Sequence, residues 1–309
     1  MTVLASPESD TAGGLPGARL RPAVGGRRSG RIATHVFLLV MAVLWLIPIL
    51  WTIYVSLRPE SDTNQHGYFS IAHSLTFHNY SEAWTQGQLP HLFWNSVKIT
   101  VPAVIITLFF ASCVAFVVAR FSFRFNLAML LLFTAGNLLP QQVLLAPLFK
   151  IYTNVQVPSF LSDSGELYDS TIGVVAINIA FQTGFCVFVL SNFMRTIPEE
   201  ITEASLVDGA SVWTRYWRLT LPLCRPALAA LATLLTTWIY NDFFWALSLM
   251  TTGKNRPITS AIQNLAGQFA QNDNLLSACA LIIAVPVLVV YFVLQRQFIA
   301  GLTLGSTKG

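Results

Sequence analysis

Runs of apolar residues long enough to cross a membrane recur six times along the 309-residue chain, separated by polar stretches. About 20 apolar residues in a helix span the hydrocarbon core of a bilayer. The pattern predicts an all-α integral membrane protein with six transmembrane helices. The predicted spans are residues 33–57, 93–118, 127–150, 171–193, 226–250 and 275–296.

The third span is the least regular of the six. Pro140 and Pro147 interrupt it, and Asn137, Gln141 and Gln142 stand where lipid-facing residues would be apolar. Prolines and amides at membrane depth are tolerated where a helix faces protein or a water-filled path. We therefore expect this span to line such a path.

The first 31 residues are rich in Gly, Pro, Ala and Arg and contain no apolar run. The run that follows is too long for the hydrophobic region of a signal peptide and has no cleavage site after it. We expect a disordered cytoplasmic tail over 1–31, a six-helix transmembrane domain over 32–299 and a cytoplasmic C-terminal tail over 300–309.

Basic residues orient the spans, because cytoplasmic loops carry an excess of Lys and Arg. With the N-terminus inside, thirteen basic residues are cytoplasmic and five are outside. The five on the outside are Arg58, Lys98, Lys150, Lys254 and Arg256. This bias predicts a multi-pass protein of the plasma (inner) membrane with both termini cytoplasmic.

Composition agrees with a lipid environment: 54% of the residues are hydrophobic and 10% are charged, against about 25% charged in soluble domains. The net charge of +4 comes from basic residues that flank the apolar runs or lie in the N-terminal stretch. That distribution suits anionic lipid and not nucleic acid. The cysteines at 113, 186, 224 and 279 are interpreted as small buried hydrophobes.

The inner loop, residues 195–225, is polar yet strongly patterned. Thr196 is a candidate N-cap, Pro198 suits a first turn and Glu199 would complete a capping box. Gly209 is expected to end this short helix. Its apolar face is predicted to carry Ile197, Ile201 and Ala204.

Ser211 is a candidate cap for a second short helix, which Leu221 and Pro222 would close before the next span. Val212, Tyr216 and Leu219 would share one face and Trp213 and Trp217 another. Two amphipathic helices at the cytoplasmic face could lie on lipid or dock into a groove of a soluble partner. Periodicity leaves both readings open.

The inner loop resembles the E-A-A-x3-G-x9-I-x-L-P signature of ABC importer permeases, with Ser in the third position and Leu for Ile. The matching residues are Glu203, Ala204, Ser205, Gly209, Leu219, Leu221 and Pro222. In that family the loop is a coupling helix, which sits in a cleft of the ATP-binding subunit and transmits its closure to the membrane helices. The resemblance therefore implies a type I ABC importer permease fold and an ATPase-coupling role for these seven residues.

Other segments resemble carbohydrate permeases. They are Ser56–Pro59, Leu75–Thr76, Asn79–Tyr80 and Asn95–Ser96 in the outer region, and Tyr240–Phe243, where Tyr replaces the usual Trp. The C-terminus, FIAGLTLGSTKG, looks like the ending of the maltose-type second permease subunit, whose tail reaches the ATPase dimer. The implied function is uptake of a sugar or oligosaccharide delivered by an extracytoplasmic binding protein.

The chain has no G-x-x-x-x-G-K-[ST] phosphate loop, which predicts a non-catalytic subunit with no bound cofactor. The resemblance implies that ATP and Mg are held by the partner ATPase. It also implies a heterodimer with a second permease subunit, and two ATP-binding subunits at the inner loop and the C-terminal tail. Membrane lipid, and no nucleic acid, completes the expected set of partners.

A sugar path needs amides and aromatic rings, which bind hydroxyls and the weakly apolar faces of sugar rings. We predict a substrate path through residues Asn137, Gln141, Asn178, Gln182, Trp238, Tyr240 and Asn241. Each could instead hydrogen-bond between helices. Asp242, the acid deep in the fifth span, is interpreted as a structural pairing or cap rather than a proton carrier.

Two other functions would require motifs that differ from those of this chain. An ion-coupled secondary transporter should show paired acids or broken helices in both halves, and Asp242 stands alone in the sequence. A membrane enzyme should show HExxH, GxSxG or clustered His and acids. No such set is visible, no metal ligands are predicted, and the histidines at 35, 66, 73, 78 and 91 lie near the first span or in the predicted outer loop, residues 58–92.

Overall fold

The computed structural model describes residues 28–137, 139–162, 164–268 and 272–303, and thirteen α-helices are labelled within them. They are α1 (Arg28–Ser56), α2 (Glu60–His66), α3 (His78–Gln86), α4 (Leu89–Arg120), α5 (Asn126–Gly136), α6 (Gln141–Asn154), α7 (Thr171–Arg195), α8 (Glu199–Val207), α9 (Val212–Leu223), α10 (Arg225–Tyr240), α11 (Phe244–Leu249), α12 (Ala261–Gln268) and α13 (Asp273–Thr303). A 3₁₀ turn, Ile258–Ser260, precedes α12, and the middle of α9, Arg215–Thr220, is a π-helix. The all-α prediction is confirmed for this part of the chain.

Four described helices, α1, α4, α7 and α13, are long and apolar enough to cross a membrane. Two further candidates are bent pairs: α5 and α6 meet at 94°, and α9 and α10 meet at 72°. The described residues thus contain up to six spans if each bent pair counts as one. Of the predicted tails, residues 1–27 and 304–309 lie outside the described residues, α1 already begins at Arg28, and α13 runs to Thr303.

Two predicted spans are broken helices. The third, predicted as 127–150, stops at Gly136 and resumes after Pro140, which precedes α6 in an extended conformation and lacks the N–H that a continuous helix needs. The prediction of the fifth span as one continuous helix over 226–250 was wrong. The helix stops at Tyr240, and the Asp242 carboxylate accepts a hydrogen bond from the Trp245 amide at 3.2 Å, which starts α11 afresh.

The chain divides into two compact units, Met1–Leu50 and Trp51–Gly309. In the described part of the first unit, apolar side chains of α1 from Ile32 to Leu50 are exposed, as lipid-facing side chains would be. The second unit is built on α4 and α7, which pack together along much of their lengths. Small residues, including Ala103, Ala111 and Ala115, are fully buried along α4 and allow this close approach.

The outer loop between α1 and α4 is held by a buried arginine. The Arg58 side chain is fully buried and donates to the Asp62 carboxylate from Nε at 3.0 Å and from Nη2 at 2.8 Å. This hydrogen bond keeps the pKa of Asp62 below its ordinary value. The imidazoles of His66 and His73 lie against the same carboxylate. The expectation of no clustered His and acid set was therefore wrong: Asp62, His66 and His73 follow no recognised motif spacing, but they meet once the loop folds.

Candidate functional site

Amide and aromatic side chains of several helices line an open cavity of about 580 Å³. It lies where the break between α5 and α6 meets α7 and the break between α10 and α11. Its described lining residues are Asn137, Gln141, Asn178, Phe181, Gln182, Phe185, Trp238, Asn241, Asp242, Phe243, Phe244 and Trp245. Broken helices at membrane depth are expected where backbone lines such a cavity.

Helix α7 supplies one wall with a single face. Asn178, Phe181, Gln182 and Phe185 follow the i, i+3, i+4, i+7 spacing that places side chains on the same side of a helix. The Phe185 ring contacts the Trp238 ring of α10, with centroids 5.2 Å apart. The wall therefore alternates amides with aromatic rings.

Two side chains fix the break after α10. The Asn178 amide is buried and donates to Val174 O at 3.0 Å and to the Asp242 carboxylate at 3.2 Å. The other Asp242 oxygen accepts from the Trp245 amide, and the Asp242 carbonyl accepts from the Thr259 hydroxyl at 3.2 Å. Asp242 is thus engaged as a pairing and cap. Asn178 serves to hold this carboxylate.

The other amide side chains that line the cavity make fewer hydrogen bonds within the protein. The Asn137 and Asn241 side chains donate within their own helices, to Phe133 O at 3.3 Å and Thr237 O at 2.9 Å, which leaves their oxygens open to the cavity. Among the described residues, the side chains of Gln141 and Gln182 make no hydrogen bond. These groups are available to polar atoms of a ligand.

Gly184 determines how closely α5 approaches α7. A Cβ atom on Gly184 would collide with the Phe133 carbonyl and the Asn137 amide. The absence of a side chain therefore lets the end of α5, with Asn137, reach the cavity. The sequence gives no direct sign of this contact.

The structure brings six of the seven residues of the predicted substrate path to one cavity and leaves Tyr240 outside it. The Tyr240 ring is buried between α10 and α13, and its hydroxyl donates to Ile283 O at 3.3 Å. Sequence reasoning missed the aromatic lining residues at 181, 185 and 243–245. The helical spacing of Phe181 and Phe185 with the two α7 amides was the available signal.

The inner loop forms α8, a turn and α9. None of the α8 side chains is buried, and Leu206 and Val207 are 54% and 89% exposed. Gly209 has φ +73°, a backbone conformation that favours glycine, and Ser211 caps α9 by accepting from the Thr214 amide at 3.2 Å. Both expectations from the sequence are confirmed.

The predicted capping box was wrong. Thr196 has a helical conformation and forms the end of α7, where its hydroxyl donates to Phe193 O at 2.8 Å; Pro198 occupies the N-cap of α8. Helix α9 ends at Leu223, one residue after the Leu221–Pro222 pair that was predicted to close it.

Of the signature residues, Glu203, Ala204 and Gly209 are exposed, and Ser205, Leu219, Leu221 and Pro222 are half-buried. The buried anchor of α9 is Tyr216, whose hydroxyl lies 2.7 Å from Ser112 Oγ of α4. Trp213 and Trp217 remain exposed. An exposed α8 is thereby fixed, through α9, to the central helix pair.

Residues 111–303 match the model of the family described as binding-protein-dependent transport system inner membrane component. The chain belongs to this family of importer permeases. The match covers every described residue that lines the cavity and the whole inner loop. The family expected from the sequence is confirmed, and with it a multi-pass protein of the inner membrane.

Curated relatives match almost end to end. The melibiose/raffinose/stachyose import permease protein MelC of Bacillus subtilis is 30% identical over 91% of this chain and 98% of its own. The diacetylchitobiose uptake system permease protein NgcG of Streptomyces coelicolor is 28% identical over 93% and 92%. The trehalose transport system permease protein SugB of Mycobacterium tuberculosis is 30% identical over 85% and 93%.

Among solved structures, a chain of a bacterial ABC transporter involved in the import of the acidic polysaccharide alginate superposes with a TM-score of 0.72. It is 22% identical, with 88% of this chain and 98% of that chain covered. This likeness confirms the fold of an importer permease.

Proposed function

We propose that the chain is one permease half of an ATP-driven importer, and that it takes up a sugar or oligosaccharide delivered by an extracytoplasmic binding protein. The single observation that carries this proposal is the cavity at the meeting of two broken helices, lined by amides and aromatic rings. Aromatic and amide side chains are the groups that suit sugar rings and hydroxyls, and the named relatives import saccharides.

The lining favours an uncharged saccharide. Among the described residues that line the cavity there is one acid, Asp242, and neither lysine nor arginine. An acidic sugar would leave its carboxylate without a partner in this half of the path, at a desolvation cost that paired charges normally offset. The proposed substrate class is therefore a neutral sugar, which binds by hydrogen bonds and by stacking on Trp238 or the phenylalanines.

The proposed energy input is at α8. Exposed apolar side chains such as Leu206 and Val207 gain about 1.5–3 kcal/mol each when fully buried, which supports docking into a cleft of an ATP-binding subunit. Glu203, Ala204, Ser205 and Gly209 would lie in that contact, and α9 would carry movement to α4 through Tyr216. ATP and Mg belong to the partner in this proposal, and this chain hydrolyses nothing.

Because this chain is proposed to form half of the pathway, other subunits are needed to complete the importer. We expect a heterodimer with a second permease subunit, two ATP-binding subunits at the inner loop and the C-terminal tail, and a binding protein at the outer loops. A related alginate importer was solved in complex with a pentasaccharide-bound periplasmic protein. Both termini are proposed to be cytoplasmic, and the surrounding partner is lipid.

Asp242 separates this proposal from an ion-coupled transporter, in which a buried acid would carry the coupling proton. Asp242→Asn keeps an oxygen that can accept from the Trp245 amide and weakens one hydrogen bond, at a stability cost of about 1 kcal/mol. Asp242→Ala removes the cap as well, for about 1 kcal/mol more. We expect ATP-dependent uptake to continue in Asp242→Asn and to decline in Asp242→Ala.

The measurement is sugar uptake by membrane vesicles that contain the complete complex, with thermal unfolding recorded in parallel. Uptake lost in a stably folded Asp242→Asn protein, or abolished by an ionophore while ATP is intact, would contradict the ATP-driven proposal.

A further inference from the structure

The outer loop brings one carboxylate and two imidazoles to a point. Asp62 and His66 lie one turn apart on α2, and His73 returns to them after a short loop. His66 Nδ1 lies 3.2 Å and His73 Nδ1 3.3 Å from the same oxygen, Asp62 Oδ1. The three atoms all lie within 4.8 Å of one another, and the two rings stack with centroids 4.0 Å apart.

The two nitrogen–oxygen separations match the edges of a tetrahedral metal site. Zn²⁺ binds imidazole nitrogen at about 2.0–2.1 Å and carboxylate oxygen at about 2.0–2.2 Å, so neighbouring ligands of a tetrahedral ion stand about 3.3 Å apart. We propose that Asp62, His66 and His73 form a site for a transition-metal ion of the Zn²⁺ class, with a fourth position open to water.

The surrounding contacts fix the carboxylate for this role. Arg58 bonds Asp62 Oδ2 from two nitrogens and is itself held by the carbonyl oxygens of Tyr68 at 3.1 Å and Ser70 at 3.2 Å. Outer contacts of this kind orient the ligands of protein metal sites. Oδ1 faces the imidazoles and also accepts from the His73 backbone amide at 3.4 Å, and His66 Nδ1 lies 3.2 Å from the Asp62 carbonyl oxygen.

Charge defines which ion the site takes. The positive charge of Arg58 offsets the negative charge of Asp62. Most of the affinity for the metal ion would therefore come from its bonds to the two imidazole nitrogens. Imidazole suits Zn²⁺, Cu²⁺ and Ni²⁺, whereas Ca²⁺ and Mg²⁺ need several oxygen ligands. We therefore expect Zn²⁺ to bind and Mg²⁺ not to compete.

A bound ion would clip the loop between His66 and His73. That loop packs on the end of α1, where Phe69 stacks on Trp51 with centroids 5.5 Å apart and the Tyr54 hydroxyl donates to Ser70 O at 2.8 Å. Helix α2 is in turn bonded to the start of α13 by Asn274 Nδ2, which donates to Thr63 Oγ1 at 2.9 Å. An ion that binds only the folded loop stabilises this outer surface.

The test is titration of the purified full chain, in lipid nanodiscs and with a tag free of histidine, with Zn²⁺ alone. We expect one Zn²⁺ per chain, a rise in Tm, and tetrahedral d–d absorption when Co²⁺ replaces Zn²⁺. His66→Ala and His73→Ala should each weaken binding at least about tenfold and abolish the rise in Tm.

His78→Ala is the matched control, because it removes an exposed histidine 3.8 Å from Glu82 on the same loop. It should leave Zn²⁺ binding unchanged. The alternative is a hydrogen-bonded cluster in which both imidazoles donate to Asp62 without a metal. Unchanged Zn²⁺ affinity in both His66→Ala and His73→Ala, or an octahedral Co²⁺ spectrum, would overturn the proposed site.

Discussion

At the residue scale, the candidate path depends on positions where the chain departs from an ordinary apolar helix. Gly184 lets α5 touch α7, Asp242 starts α11, and Asn178 holds Asp242. None of these residues needs to contact substrate. Each places an amide or aromatic side chain at the cavity.

Gly184→Ala should push α5 away from α7, because the added methyl group would collide with the Phe133 carbonyl and the Asn137 amide. Overpacking of this kind costs about 1–3 kcal/mol. We expect a lower Tm in detergent and reduced uptake. Gly136→Ala is the control, since a Cβ atom there meets nothing within 4 Å; equal effects of the two variants would show that the contact does not position α5.

The polar residues of the path were predictable because amides in apolar helices must face away from lipid. Five of the six predicted residues that line the cavity are amides, and the sixth is Trp238. Tyr240 was misplaced because a tyrosine can bury its ring and bond its hydroxyl to a carbonyl, here Ile283 O. Phe181 and Phe185 were missed because phenylalanine in an apolar helix has the same pattern whether it faces lipid, core or cavity.

At the element scale, the inner loop is an exposed helix joined to a buried anchor by one glycine. The sequence predicted the turn at Gly209 and the cap at Ser211, since both depend on local backbone chemistry. It misplaced Thr196, because whether a threonine ends one helix or caps the next depends on where α7 stops. Prediction of the two helix breaks was limited in the same way. Pro140 marks the break between α5 and α6, but the break between α10 and α11 depends on the cap made by Asp242.

Gly209→Pro should uncouple ATP hydrolysis from uptake while the protein remains inserted. Proline fixes φ near −65°, whereas Gly209 has φ +73° and donates its amide to Leu206 O at 3.0 Å. The α8–α9 turn would therefore change direction. The measurement is the ratio of sugar imported to ATP hydrolysed by the assembled complex.

Gly165→Pro is a matched control outside the inner loop. Gly165 has φ +72° and donates its amide to Ser162 O at 3.3 Å, so proline imposes the same kind of strain there. We expect Gly165→Pro to lower stability and to keep the coupling ratio. Wild-type coupling in Gly209→Pro would rule out the role assigned to α8.

At the scale of the whole molecule, two features carry the proposed function: the cavity between the helices and the exposed helix α8. The cavity is open, as expected if a second permease subunit completes it, and α8 has no buried side chains. The family and the six apolar runs were readable from sequence. The convergence of two broken helices on one cavity was not, because it depends on packing between helices distant in the chain.

The most direct test asks what touches α8, and on which side of the membrane. Val207 is 89% exposed on α8, and Ile71 is 86% exposed on the outer loop. A photo-crosslinking residue at each position in the native membrane compares two equally accessible sites. Position 207 should capture an ATP-hydrolysing subunit from the cytoplasmic side, and position 71 should not. The account would be contradicted if position 207 captured no such subunit. It would also be contradicted if an impermeant reagent added outside the cell labelled position 207.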